Sequence, residues 1–281
     1  MRRSHYLPPM ETLLSFRHDR IVLTVAILVI VLATLRPHTA FAIPVDPDDD
    51  PNPLSQKMGA PPSFAFSAPR GFFALKFGKY DPRAASDIYM FNAEQQTLDL
   101  DSYNTVNLAL EFGYSFNDRV DVSIGWDISA SEPVSEMRDW VDNEGSPIIQ
   151  HTRLKQMPIT VSVRFNLVER GQSIGNFTWV PKRVVPYLGA GAGITFWSYE
   201  QFGDFVDFTD STIFTDHFLS KGWSPIAQLF GGLDWAIKPH FLVELEMRYS
   251  WAEGQLSPAF VGFEPIDLAG LRSMVGALFR F

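Results

Sequence analysis

The sequence predicts an all-β chain: an eight-stranded antiparallel up-and-down transmembrane β-barrel behind a removable leader. Three observations carry this reading. From Gly71 onward the apolar period is two, in segments of ten or so residues. One parity class of those segments is almost wholly large and apolar, while the other is small, polar or charged. The connections alternate mostly long and short, as a meander with two unlike ends requires.

Residues 1–42 read as a secretory leader. Arg2, Arg3, Arg17 and Arg20 precede an apolar run of 15 residues, Ile21–Leu35, and "RPHTAFA" follows with a proline break and small residues at Ala40 and Ala42. Cleavage is expected after Ala42. An uncut anchor helix is the alternative, but the run falls short of the ~20 residues that normally span. Removal takes five of the 23 basic and two of the 32 acidic side chains, leaving a net charge of −12. Nucleic acid does not suit such a surface. The chain has no cysteine, which excludes disulfides, a thiol nucleophile, Cys-based metal sites and a lipid-modified cysteine after the leader. Residues 43–70 are expected to be an acidic, Pro-rich, disordered lead-in. Its Asp46, Asp48, Asp49 and Asp50 either hold a cation weakly or are simply solvated.

Eight segments follow over 71–281. The first, about 71–80, ends in a long link, 81–104. The second, 105–116, turns through "NDR" (Asn117–Arg119) into the third, 120–130. A long link, 131–153, leads to the fourth, 154–167, and "ERGQSIGNFTWVPKR" (Glu169–Arg183) is an intermediate one. The fifth and sixth, 184–198 and 222–237, flank the long link 199–221. "KPH" (Lys238–His240) turns into the seventh, 241–252, and the link 253–266 leads to the eighth, 267–281. No segment after the leader has a convincing helical period. The short turns and both termini are expected in the periplasm, the long links outside.

The apolar parity class includes Phe73, Leu75, Phe77, Phe112, Ile124, Val161, Leu245, Val275, Phe279 and Phe281. Tyr114, Phe116, Trp235, Phe241 and Phe281 fall at short-turn ends; Trp126, Trp223 and Trp251 are placed near long-link ends, as two interfacial girdles. Trp197 has the opposite parity and is expected to cap the lumen. The competing reading is a soluble barrel, apolar inside and polar outside. Against it, the polar class is crowded with Gly, Ala and Ser, which suit the cramped interior of eight strands.

The closing stretch "DLAGLRSMVGALFRF" alternates apolar residues and ends in Phe. It resembles the C-terminal signal by which the outer-membrane assembly machinery recognises its clients, and Phe279 and Phe281 would carry it. "VVPYLGAGAGITFW" (Val184–Trp197), the extended link after it and "LVELEMRYSWAEG" resemble small barrels of the outer-membrane protein W and outer-membrane protein A transmembrane-domain type. The resemblance implies a Gram-negative outer membrane, with its lipid and lipopolysaccharide as surroundings. It also implies periplasmic chaperones and the assembly machinery as transient partners, and no cofactor.

Proteins of the W type are thought to pass or bind small apolar compounds, and this chain departs from that pattern. Its inward positions include Lys76, Glu111, Asp127, Arg164, Asp234, Glu244, Glu246, Arg248 and Arg272, joined by Asp121 and Arg280. In a narrow interior such charges must pair or cost several kcal/mol each. A salt-bridge network that plugs the lumen is therefore expected; a gate, a proton path or a small channel is the functional alternative.

Catalysis needs a nucleophile, a base and an orienting group. After the leader only His151, His217 and His240 remain, the first two beside loop residues such as Ser211 and Asp216, and no His-x-Ser lies on a strand. An enzyme is not expected. "GAGAG" lacks the G-x-G-x-x-G spacing of a phosphate loop, so its glycines more simply leave space for bulky side chains opposite. The loops hold candidate ligand or partner residues: Trp140, Phe202, Phe205, Phe208, Asp204 and Asp207. The alternative is that 199–218 extends its hairpin and packs on Ser257–Leu268. Its carboxylates do not fit D-x-D-x-D-G, so no metal site is expected. The acidic link 131–153 leaves room for divalent cations shared with lipopolysaccharide.

Overall fold

The protein is described here from a computed structural model that covers residues 65, 67–142, 144–174, 178–207 and 210–281. The chain divides into two units, Met1–Gly59 and Ala60–Phe281, and every described residue belongs to the second. The expected leader, most of the acidic segment and Phe208 lie outside the described residues.

Eight long strands make the wall: β1 (Gly71–Pro82), β2 (Thr105–Ser115), β3 (Val120–Ser131), β4 (Pro147–Asn166), β5 (Val184–Val206), β6 (Ile213–Lys238), β7 (Phe241–Trp251) and β8 (Gly270–Arg280). All neighbouring pairs are antiparallel. Sequential strands pair in turn, and β1 with β8 (Phe73 opposite Phe279) closes the ring. Closure satisfies the backbone groups that an open sheet would leave bare in lipid.

Outward residues of every strand are apolar and exposed, among them Phe77, Val106, Phe112, Ile124, Val161, Leu188, Leu229, Leu245 and Phe279. Val106 alone leaves 69% of its surface uncovered. A band of this kind around the whole circumference is far larger than any apolar patch a water-soluble monomer exposes. The wall therefore faces lipid, and the soluble-barrel alternative falls. Trp126 stands in mid-band, opposite Leu110 and Ile159, and so does not belong to the outer girdle that its sequence position suggested.

Three departures from the sequence reading have physical causes. First, β4, β5 and β6 run beyond the membrane segments, so most of the links 131–153 and 199–221 is strand, and Val134–Val141 pairs with the start of β4. Polar residues alternate there on both faces, which hides the period. Second, the link 81–104 contains a helix, α1 (Asp87–Gln95). Its Ile88, Tyr89 and Asn92 are buried while Met90 and Phe91 are exposed, so no single apolar stripe betrays it. Third, the end of the expected disordered lead-in is tied down: Ala65 bridges Trp179, and the N–H groups of Arg70 and Gly71 both donate to the Phe281 carbonyl. Trp179 belongs to a small hairpin, Gly171–Ile174 with Thr178–Pro181, and is buried.

Candidate functional site

The lumen is a solid of charges, glycines and rings. Lys76 projects from β1 and is 1% exposed. Its Nζ lies 2.7 Å from Glu111, 3.1 Å from Glu244 and 2.7 Å from Glu246. Arg248 pairs with Glu246 at 2.6 Å and Asp127 at 3.1 Å. Toward the short turns, Arg164 reaches Asp121, Asp234 and Glu244 at 3.0–3.2 Å, and Arg280 reaches Asp234 at 2.7 Å. Tyr187 joins the two clusters by donating to Glu244 at 2.5 Å, with Glu246 at 3.0 Å. Each of these six lumen carboxylates has a cation within 4.0 Å. The match is looser at the short-turn end, where Nε and Nη1 of Arg280 and Oδ1 of Asp234 are buried without a hydrogen-bond partner among the described residues.

Eight of the nine lumen residues singled out from sequence thus join one network. Arg272 does not. Its guanidinium bonds Ser250 Oγ at 2.7 Å, Asn107 Oδ1 at 3.3 Å and Gln156 Oε1 at 3.4 Å, and sits 4.1 Å from the centre of the Tyr80 ring. It occupies a neutral layer above the ion pairs because the inward positions at that level carry amides and hydroxyls.

Inward glycines make the packing possible. A Cβ on Gly189 would lie 2.3 Å from the Phe230 ring, and one on Gly232 would lie 2.5 Å from the Tyr187 hydroxyl. Within the glycine run of β5, Gly189 thus seats the Phe230 ring, while Gly191 leaves room for Ser162 and Gln228. Sequence reasoning also missed Arg170, which lies in the fourth link and is buried beside Asp121 and the Pro69 carbonyl. Nothing in the parity pattern marks it, because it is not on a strand.

The long-link end is closed by an apolar cap. Ile88 and Tyr89 of α1 pack with Tyr103, Trp197, Tyr199, Phe260, Ile266 and Leu268. Burial without full compensation pushes the Tyr103 hydroxyl up to about 12, and raises Tyr89 well above its ordinary value. Trp197 points inward and donates its indole N–H to Ser224 at 3.0 Å. Beside it, a cavity of about 780 Å³ opens between β6 and the strand end of β7, lined by Trp223, Pro225, Trp251, Arg83 and Asp267. Asp267 is held by Arg83 at 2.8 Å and by the Ala85 and Ala269 amides.

The loop candidates are separated by the fold. Trp140 packs with Met137, Ile148, Val206 and Ile213. Phe202 stacks on His151 at 4.7 Å, and Phe205 meets Phe218, which in turn meets Phe260 in the cap. The Asp204 carbonyl accepts from Gln150 at 2.8 Å, and Asp207 lies in the turn that joins β5 to β6. His151 and His217 each face a carboxylate, Glu132 at 3.9 Å and Glu200 at 3.7 Å; among the described residues no serine hydroxyl bonds either ring. Among those residues, too, no group of three or more His, Asp or Glu side chains is placed to hold a metal ion.

A closed ring of eight strands, apolar outside and charged within, defines a membrane-spanning barrel of the outer-membrane class. No protein-family model matches the chain, and comparison with curated proteins yields no match. Among solved structures, Neisserial surface protein A is 14% identical over 75% of this chain and 97% of that one, with a TM-score of 0.43. The outer membrane protein OprG from Pseudomonas aeruginosa is 16% identical over 77% and 99%, at 0.42. The attachment invasion locus protein of Yersinia pestis is 16% identical over 75% and 99%, at 0.40. The class assignment rests on the ring, the apolar band and the filled lumen of this chain itself.

Proposed function

We propose that this is a non-enzymatic outer-membrane barrel with a plugged lumen, acting in envelope structure or surface interaction through its long acidic and aromatic loops. The observation that carries the reading is the pairing of each of the six lumen carboxylates beneath an apolar cap. Charges packed this closely attract one another strongly, and separating them to admit water or solute exposes uncompensated ions. In this reading a leader is cut after Ala42, the acidic 43–70 segment precedes the barrel, and Phe279 with Phe281 serve the assembly machinery on the periplasmic side.

A second reading, a channel for apolar or small polar solutes, is favoured by the side cavity at Pro225. Single-channel recording of residues 43–281, folded in detergent and placed in a planar bilayer, separates the two. A silent barrel supports the plug. Steady conductance that changes with Arg272→Ala supports the channel and sinks the first reading.

A further inference from the structure

The cap carries a second hollow, of about 190 Å³, between α1, the outer ends of β5 and β6 and the turn at Pro258–Phe260. Its walls are rings: Phe91, Phe205, Phe214, Phe218, Phe260 and Phe263. Its polar groups are all amides, Asn92, Gln95, Gln96, Gln150 and Gln201, and none of its lining residues is ionisable. Four of the amides are buried, which is costly for groups with two donors and two acceptor sites unless each is bonded.

Most of those bonds are fixed within the protein. Ser135 donates to Gln96 Oε1 at 2.7 Å, Gln96 Nε2 to Gln150 Oε1 at 2.6 Å, and Gln150 Nε2 to the Asp204 carbonyl at 2.8 Å. Asn92 Nδ2 donates to Tyr199 and Tyr103, and Asn92 Oδ1 accepts from Gln201 Nε2 at 3.0 Å. Among the described residues this leaves Gln201 with one N–H and its carbonyl oxygen unused, and Gln96 with one N–H unused. Donors and an acceptor held rigidly among aromatic faces match a ligand that has both C–H faces and hydroxyls that donate and accept.

We propose that this hollow binds a single uncharged pyranose unit of a glycan presented outside the cell. The size fits one ring, being below the roughly 300 Å³ at which sites for drug-sized ligands begin. An anionic sugar finds no cation in the lining, and Asp204 and Asp216 on the adjoining strands, with Asp207 and Asp210 in the turn between them, disfavour it. A purely apolar ligand would leave the Gln201 amide dry and unpaired. The site deepens the surface-interaction reading and rests on it, since the long loops must face outward.

Saturation-transfer NMR on the folded 43–281 barrel, in a detergent without a sugar headgroup, tests this with methyl pyranosides, glucuronate and n-hexanol as probes. Saturable binding of at least one neutral pyranoside is expected, with no binding of glucuronate. Gln201→Leu and Phe205→Ala should each weaken it at least about fivefold while the heat-modifiable gel shift of the folded barrel is retained. No saturable binding of any neutral pyranoside overturns the proposal. So does hexanol binding that Gln201→Leu leaves unchanged or strengthens, which would make the hollow a simple apolar site. A conducting barrel that still binds sugar sinks the plug and spares the site; a silent barrel that binds none does the reverse.

Discussion

Lys76 is the residue on which the lumen turns, because one ammonium contacts three glutamates from β2 and β7. Replacing it with methionine keeps the volume and removes the cation the three share, leaving Glu244 to Arg164, Glu246 to Arg248 and Glu111 with only Arg248 at 3.8 Å. Loss of about 3–5 kcal/mol is expected, read as a lower midpoint of thermal unfolding in detergent. Arg272→Met should cost less, about 1–3 kcal/mol, since it leaves only neutral partners unbonded. The opposite order would overturn the assignment of the two layers. In the cap, the raised Tyr103 makes a pH prediction with a definite sign. Below pH 10 the hydroxyl is neutral folded and unfolded, and the full stability is present. As pH rises from its ordinary value near 10 through about 12, only the unfolded chain releases the proton readily, so stability is lost. The cap should therefore loosen in that window, followed by protease cleavage within 81–104, and Tyr103→Phe should remove its share of the effect.

At the scale of elements, the wall and its filling are matched strand by strand. Gly189 of β5 sits where Phe230 of β6 crosses the lumen, and the Tyr187 ring lies where β6 offers Gly232. Gly189→Leu should force the Phe230 ring off its site and cost at least about 1–3 kcal/mol, with a lower folded fraction on refolding into vesicles. An unchanged folded fraction would mean that the lumen has slack at this level. The extension of β5 and β6 beyond the membrane has the same logic: Val206 opposite Ile213 continues the ladder, and Phe205, Phe214 and Phe218 bury part of their area against one another and Phe260. Long strands with aromatic pairs are a rigid support for anything the cap presents.

For the whole molecule, the position of an exposed apolar residue relative to the lipid decides what it tolerates. Leu245 lies mid-strand on the band, between Leu233 and Val275, while Val261 is 86% exposed on the cap. Leu245→Arg should cost about 2–4 kcal/mol in vesicle-folded protein, as expected near the bilayer midplane. Val261→Arg should stay within about 0.5 kcal/mol, as surface changes in water do. Equal costs would mean that the band does not meet lipid. Much of this architecture is legible in one dimension. Period-two alternation places Phe77, Val161 and Leu245 outside and Lys76, Glu111 and Arg164 inside without reference to any partner strand, because a pleated strand sends successive side chains to opposite faces. Eight such segments with unlike links then require a barrel. The sequence by itself therefore determined the wall, its facing and the fact that charges share a lumen. Only the tertiary structure decided which charge meets which, that Arg272 stands among amides, that α1 and Trp179 pack at the ends, and that Asn92, Gln96, Gln150 and Gln201 converge on one hollow. Those outcomes depend on register and on loops folding back over the ring. They bring together residues 170 or more positions apart, and local periodicity carries no record of such distances.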